Sequence, residues 1–141
     1  MRSVVVDASA VLAWILPSQA TLAASAMLEQ ANTLQFEAPA IFDWEVRNVL
    51  LKVDRRGALP SEGYEEALLF HTALDVRLHA PAIDMDELGV LARGSRLSLF
   101  DAAYFALALE KGWPLASRDD ALLKAAADAG IECFDLRATT P

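Results

Sequence analysis

The sequence predicts an α/β domain built on a mainly parallel sheet, and three observations predict it. Strand-like stretches alternate with helical ones along the chain. Hairpin signals are almost absent. Val4, Val5 and Val6 are apolar at consecutive positions, the pattern of a strand buried on both faces. The 141 residues suit a single domain with its own core, and no internal repeat, linker or low-complexity segment divides them.

The elements follow in order. After the valine strand, Ala8 to Leu16 reads as a short helix stopped by Pro17. A second helix is expected from Gln19 to Ala31, with Leu22, Ala23, Ala26, Met27 and Ala31 as its apolar stripe. Leu34 to Pro39 is a brief strand closed by proline. From Ala40 to Arg56, Ile41, Phe42, Val46, Val49, Leu50 and Val53 recur at helical spacing, and Gly57 supplies the stop. A helix from Pro60 or Ser61 to Leu74 carries Glu65 and Glu66 in its early turns.

The stretch from Val76 to Pro81 is a second proline-ended strand. Asp84 to Arg93 is a helix expected to break near Gly94, and Leu99 to Leu109 is the most apolar helix, ending at Lys111 and Gly112. Trp113 to Ala116 is a buried strand. Ala121 to Ala129 is a helix ended by Gly130, Ile131 to Phe134 is the last strand, and residues 136–141 read as a loose C-terminal tail.

Composition narrows the chemistry. Cys133 is the single cysteine, so no disulfide framework exists, and with only His71 and His79 beside it a structural zinc site is not expected. That cysteine usage fits a reducing, cytoplasmic setting. No stretch is long and apolar enough to span a membrane. The net charge of −8 is not the footprint of a protein that holds nucleic acid by bulk electrostatics. It suits a cluster of carboxylates whose charge a cation offsets.

Four positions carry acids that depart from a solvated face. Asp7 follows the valine strand directly, at the strand end where α/β sheets place their chemistry. Glu45 shares a helical face with Ile41, Phe42, Asn48 and Val49, where a carboxylate is costly unless paired or bound to a cation. Asp101 opens the most apolar helix, with Tyr104 one turn on and placed to hydrogen-bond it. Asp119 and Asp120 follow a late strand. Each has an ordinary alternative: Asp7 as a helix cap, Glu45 in a buried ion pair, Ser98 with Asp101 and Ser117 with Asp120 as capping boxes. Taken together, carboxylates at strand ends and helix starts gather on one sheet edge. Without histidine or cysteine they make a hard-oxygen site suited to Mg²⁺ or Mn²⁺. Such sites commonly act on phosphates.

At these residues a resemblance appears. Val5-Val6-Asp7-Ala8-Ser9, then Pro39 with Glu45 and Asn48, then Ser98-Leu99-Phe100-Asp101-Ala102-Ala103-Tyr104, then Leu115-Ala116-Ser117-Arg118-Asp119 resembles the PIN domain. More narrowly it is similar to the VapC-type toxins of bacterial toxin–antitoxin pairs, and the match is collinear over about the whole chain. The resemblance implies a PIN-like three-layer α/β/α fold with a mainly parallel central sheet, one PIN domain over residues 1–141. It also implies an endoribonuclease dependent on Mg²⁺ or Mn²⁺, with a cognate antitoxin as partner and a homodimeric state. Asp7, Glu45, Asp101 and Asp119 fall on the family's four acidic positions. Ser9 and Ser117 fall on its accessory hydroxyl positions, with Ser117 where threonine is more usual and Phe100 where tyrosine often stands. Asp7 and Asp101 would be the primary ligands, with Glu45 and Asp119 completing the site. Arg55, Arg56, Arg93, Arg96 and Arg118 are the candidates for RNA phosphate contacts.

Other readings fit less well. A dinucleotide-binding enzyme needs a glycine-rich turn after the first strand, and Asp7-Ala8-Ser9-Ala10 has no glycine. A haloacid-dehalogenase-type phosphatase needs a second aspartate where Ser9 stands. The alternative from another class is a non-catalytic metal-binding or protein-interaction module on a PIN-like or receiver-like fold. A receiver-like domain would want adjacent acids after its first strand and a lysine after a late one. Neither is present.

Overall fold

Val4, Val5 and Val6 have no exposed surface, because their strand lies at the centre of the sheet and is covered on both faces. The computed structural model describes residues 1–137. In chain order these form β1 (Arg2–Val6), α1 (Ala8–Ile15), α2 (Leu22–Glu29), β2 (Leu34–Pro39), α3 (Ile41–Arg55) and α4 (Gly63–Ala73). They continue with β3 (Arg77–His79), α5 (Met85–Ser95), α6 (Leu99–Lys111), β4 (Leu115–Ser117), α7 (Asp120–Asp128) and β5 (Cys133–Asp135). The five strands are all parallel, in the order β3-β2-β1-β4-β5. Helices α1 to α4 pack with one another, as do α5 to α7, and the result is the three-layer α/β arrangement expected.

Strand order fixes where a site can form. From β1 the chain runs through α1 and α2 to β2 and then outward to β3; from β4 it runs the other way, through α7 to β5. Yet β1 and β4 are neighbours, with Val5 opposite Leu115 and Val6 opposite Ala116. The chain therefore departs in opposite directions from the carboxyl ends of two adjacent strands. That topological switch point opens a crevice in a doubly wound sheet, and Asp7 and Ser117 stand at its two sides.

Several element boundaries differ from those expected. Helix α2 begins at Leu22 rather than Gln19, because Pro17–Gln19 closes a 3₁₀ turn first and Thr21 caps the helix with its hydroxyl. Its core contacts are Ala24 and Met27, while Leu22 is exposed. Helix α4 starts at Gly63, after Glu62 in the left-handed region at φ 65°. A side chain at Gly63 would sit 2.9 Å from the Pro60 ring, so only glycine fits this tight entry. Helix α5 runs through Gly94 and stops at Arg96, whose φ of 57° ends it. Gly94 is exposed with open space around it, so its cost is only the modest helix penalty of glycine.

Strands β4 and β5 each begin two residues later and end one residue later than expected, on polar residues, Ser117 and Asp135. Leu136, where a loose tail was expected to begin, is buried and donates its amide to the Ser117 carbonyl at 2.9 Å. The remainder of that stretch, 138–141, lies outside the described residues. No helix among the described residues is long and apolar enough to cross a membrane.

Towards the β3 edge of the sheet a buried carboxylate is held by an ion cluster with no signal in the sequence. The Glu37 carboxylate, fully buried on β2, accepts from Ser3 Oγ at 2.6 Å, from Arg77 Nε at 2.9 Å and from Arg77 Nη2. It also lies 3.0 Å from His79 Nε2. Burial pushes the Glu37 carboxyl up, but the hydrogen bonds and the Arg77 charge outweigh it and hold it below the usual carboxylate range. The cluster ties the short edge strand β3 to β2.

Candidate active site

The site is assembled from helix starts. Asp7 follows β1 and is the N-cap of α1, its Oδ1 accepting the Ala10 amide at 3.0 Å. It does more than cap. Oδ1 also accepts from Ser9 Oγ at 2.7 Å and Oδ2 accepts from Ser117 Oγ at 2.6 Å. The Ser117 hydroxyl in turn accepts the Asp119 amide at 2.9 Å, and Ser9 Oγ accepts the Arg118 amide at 2.9 Å. The loop after β4 is thereby bound to the loop after β1 through two hydroxyls and one carboxylate.

Asp7 is only 4% exposed. Burial pushes its carboxyl up to about 6; the hydrogen bonds from Ser117, Ser9 and Ala10 offset part of that, and the charge of Asp101 adds to it. A buried carboxylate without a cationic partner is expensive unless a cation is meant to join it. Its two oxygens receive three donors, leaving acceptor capacity on Oδ2.

Asp101 sits in the first turn of α6, where Ser98 Oγ accepts its amide at 3.0 Å. Its carboxyl is raised by burial and then by the charges of Asp119 and Glu45, so these acids lie within one another's field. Glu45, in the second turn of α3, accepts from Tyr104 Oη at 2.6 Å. The Tyr104 partner expected from helical spacing was Asp101; the ring is buried and reaches across to α3 instead. Burial, the bond to Glu45 and the surrounding carboxylates all raise the Tyr104 hydroxyl, so it stays a donor. Asp119 caps α7 itself, its Oδ2 accepting the Leu122 amide at 2.8 Å. The Ser117–Asp120 capping box is therefore not the one used.

The structure thus brings Asp7, Ser9, Ser117 and Asp119 into one hydrogen-bonded unit, with Asp101 and Glu45 coupled to it electrostatically. The donor set is hard oxygen throughout, and its members destabilise one another's charge, the condition a divalent cation relieves. In their present rotamers, no three His, Cys, Asp or Glu side chains among the described residues form a group that could hold an ion. Asp101, Glu45 and Asp119 are half-buried rather than enclosed, which leaves their side chains room to turn towards a cation.

The arginines divide. Arg118 is half-buried next to Ser117, its Nη1 donating to Gln19 Oε1 at 2.9 Å; Gln19 gave no signal in the sequence. Arg93 and Arg96 are exposed at the end of α5, just before Ser98. Arg55 and Arg56 end α3, about 15 Å along the helix axis from Glu45, and are not brought to the carboxylates.

A family model described as PIN domain matches residues 4–128. No curated protein matches the chain. Among solved structures, PAE2754 from Pyrobaculum aerophilum superposes with a TM-score of 0.63 at 20% identity, covering 94% of this chain and 90% of that one. FitAcB from Neisseria gonorrhoeae superposes with a TM-score of 0.61 at 15% identity, covering 95% of this chain and 98% of that one. These likenesses are of fold.

Proposed function

Because the chain belongs to the PIN domain family, whose members are generally nucleases, we propose that it is an Mg²⁺- or Mn²⁺-dependent endoribonuclease. We further propose that it is the VapC-type toxin of a toxin–antitoxin pair. The observation that carries the nuclease reading is the buried, hydroxyl-braced Asp7 at the switch point, with Asp101, Glu45 and Asp119 around it. A protein-interaction module that binds no cation has no need for a carboxylate held at this cost among like charges.

Asp7 and Asp101 would be the main ligands of the cation, and Glu45 and Asp119 would complete the set. A bound divalent cation would acidify a water and polarise the phosphodiester. The remaining work belongs to the chain. Ser9 and Ser117 hold Asp7 in one orientation, and Tyr104 does the same for Glu45. Near neutral pH Asp7 is ionised, since its carboxyl lies at about 6, and so is ready to ligate. Arg93 and Arg96, at the end of α5 just before the helix that carries Asp101, and Arg118, beside Asp119, would meet the flanking phosphates.

The toxin reading rests on the resemblance of the four motifs to VapC-type proteins; a cognate antitoxin, a homodimer and a cytoplasmic setting go with it. Induced expression in a bacterial host tests it. Growth arrest with the wild-type chain, relieved by Asp7→Asn at equal protein level, is the expected result. Unimpaired growth with abundant folded wild-type protein would count against the toxin reading.

A further inference from the structure

Trp44 and Phe100 are large aromatic side chains that the fold does not use. They are 79% and 52% exposed, and neither packs against the hydrophobic core. Each immediately precedes a carboxylate of the site, Trp44 before Glu45 and Phe100 before Asp101. Both line one cavity of about 800 Å³ between α3 and the start of α6, with Ile41, Glu45, Asn48 and Leu51. Along α3, Trp44, Asn48 and Leu51 follow at i, i+4 and i+7 and form a single stripe. The core-facing residues of that helix are Phe42, Val46, Leu50 and Val53.

The walls define the occupant. They are largely apolar and aromatic, with one amide, Asn48, that can both donate and accept, with the Asp43–Arg47 ion pair on the rim, and with one carboxylate of the catalytic cluster, Glu45. The cleft is open to solvent, and its volume falls in the range of roughly 300–1,000 Å³ found for small-ligand sites. An unpaired nucleobase has flat apolar faces, a polar edge and a phosphate a few bonds away. Seated here, it brings that phosphate towards Glu45 and Asp101. A base within a duplex is already stacked and unavailable.

We propose that this cavity is a nucleobase-binding cleft for single-stranded RNA, in which Trp44 and Phe100 stack on a base beside the scissile phosphate and Asn48 hydrogen-bonds its edge. The inference rests on the nuclease reading and adds its recognition element: base preference at the cut is set on α3 and at the start of α6.

The test uses a fluorescein-labelled single-stranded RNA decamer of mixed sequence, with Mg²⁺ present and Asp7→Asn in every protein so that the probe survives. Fluorescence anisotropy should show that Trp44→Ala and Phe100→Ala each weaken binding about tenfold, the scale of one lost base–aromatic stack. Trp44→Phe should restore most of the affinity, and the same RNA in duplex form should bind poorly. In the active protein, Trp44→Ala should raise KM with kcat nearly unchanged, and Asn48→Ala should alter the base preferred at the cut. Unchanged affinity in both alanine variants overturns the proposal. So does a change of subunit number in Trp44→Ala, seen by sedimentation equilibrium, with affinity per chain intact; a second protein chain would then be the occupant. A wild type that cleaves no RNA while Trp44→Ala still loses affinity leaves the cleft standing and removes only the nuclease reading.

Discussion

The Ser117 hydroxyl donates to Asp7 Oδ2 at 2.6 Å, joining the carboxyl ends of two adjacent parallel strands from positions 110 residues apart. Ser117 has no exposed surface, and the same oxygen accepts the amide of Asp119 at 2.9 Å. One hydroxyl therefore orients one acid of the site and fixes the backbone of another. That geometry follows from the strand order, which sets β4 beside β1 and sends the chain away from them in opposite directions.

Asp7 should make the metal-free protein less stable as pH rises. Its carboxyl lies at about 6 in the fold against an ordinary 3.8, so the folded state holds the proton more tightly than the unfolded one. The stability from that proton is complete below about pH 4, falls between pH 4 and 6, and is gone above, a loss of roughly 3 kcal/mol. Thermal unfolding in chelator should show the wild-type Tm falling relative to Asp7→Asn over that window, by roughly 10 °C in all. A constant difference between the two curves would contradict it.

Cation binding should reverse that penalty. A ligand that binds only the folded state raises stability, by about 1.4 kcal/mol at tenfold excess over Kd. Millimolar Mg²⁺ or Mn²⁺ should raise the wild-type Tm at pH 7.5 and leave that of Asp7→Asn unmoved. Equal shifts in the two proteins would place binding elsewhere.

Tyr104→Phe separates positioning from ligation. It removes the 2.6 Å bond to Glu45 but no carboxylate. Stability should fall by about 1–2 kcal/mol and RNA cleavage by about tenfold, in line with a small positional loss. Raising the cation concentration should recover part of the activity, which it would not do for Glu45→Ala.

How much of this was legible in the sequence depends on whether the cause was local. The valine run, the proline stops and the periodicity of α3 are local, and those elements lie where expected. Ser117 was read as a helix cap paired with Asp120, one residue past a strand ending at Ala116, because hydropathy sees a hydroxyl as solvated. In the fold its donor and acceptor are both satisfied inside β4, so burial costs little. Tyr104 was assigned to Asp101 from the i, i+3 spacing, but its partner is on another helix, 59 residues away, a relation no spacing encodes. Asp7 was legible as both cap and candidate ligand, and it serves as the cap in fact. The Ser3–Glu37–Arg77–His79 cluster joins three strands and left no trace in any one of them.

That cluster gives a prediction of opposite sign to Asp7. A carboxyl held below its ordinary 4.5 contributes stability above that pH and loses it as pH falls through the folded value. Arg77→Ala should lower Tm by several degrees at pH 7, because a buried carboxylate loses its bidentate partner. The difference from wild type should shrink as pH falls through the lowered folded value, where Glu37 takes up its proton in the wild type as well. A deficit that stays constant with pH would mean that Arg77 acts by packing alone.

The most direct measurement is cleavage of a single-stranded RNA by purified wild-type and Asp7→Asn protein, with Mg²⁺ or Mn²⁺ and with chelator, after circular dichroism has shown both proteins to be folded. The expected result is cleavage by the wild type only, dependent on the cation and abolished by the chelator. Cleavage by Asp7→Asn at the wild-type rate, or by the wild type in chelator, would contradict a metal-dependent site built on Asp7.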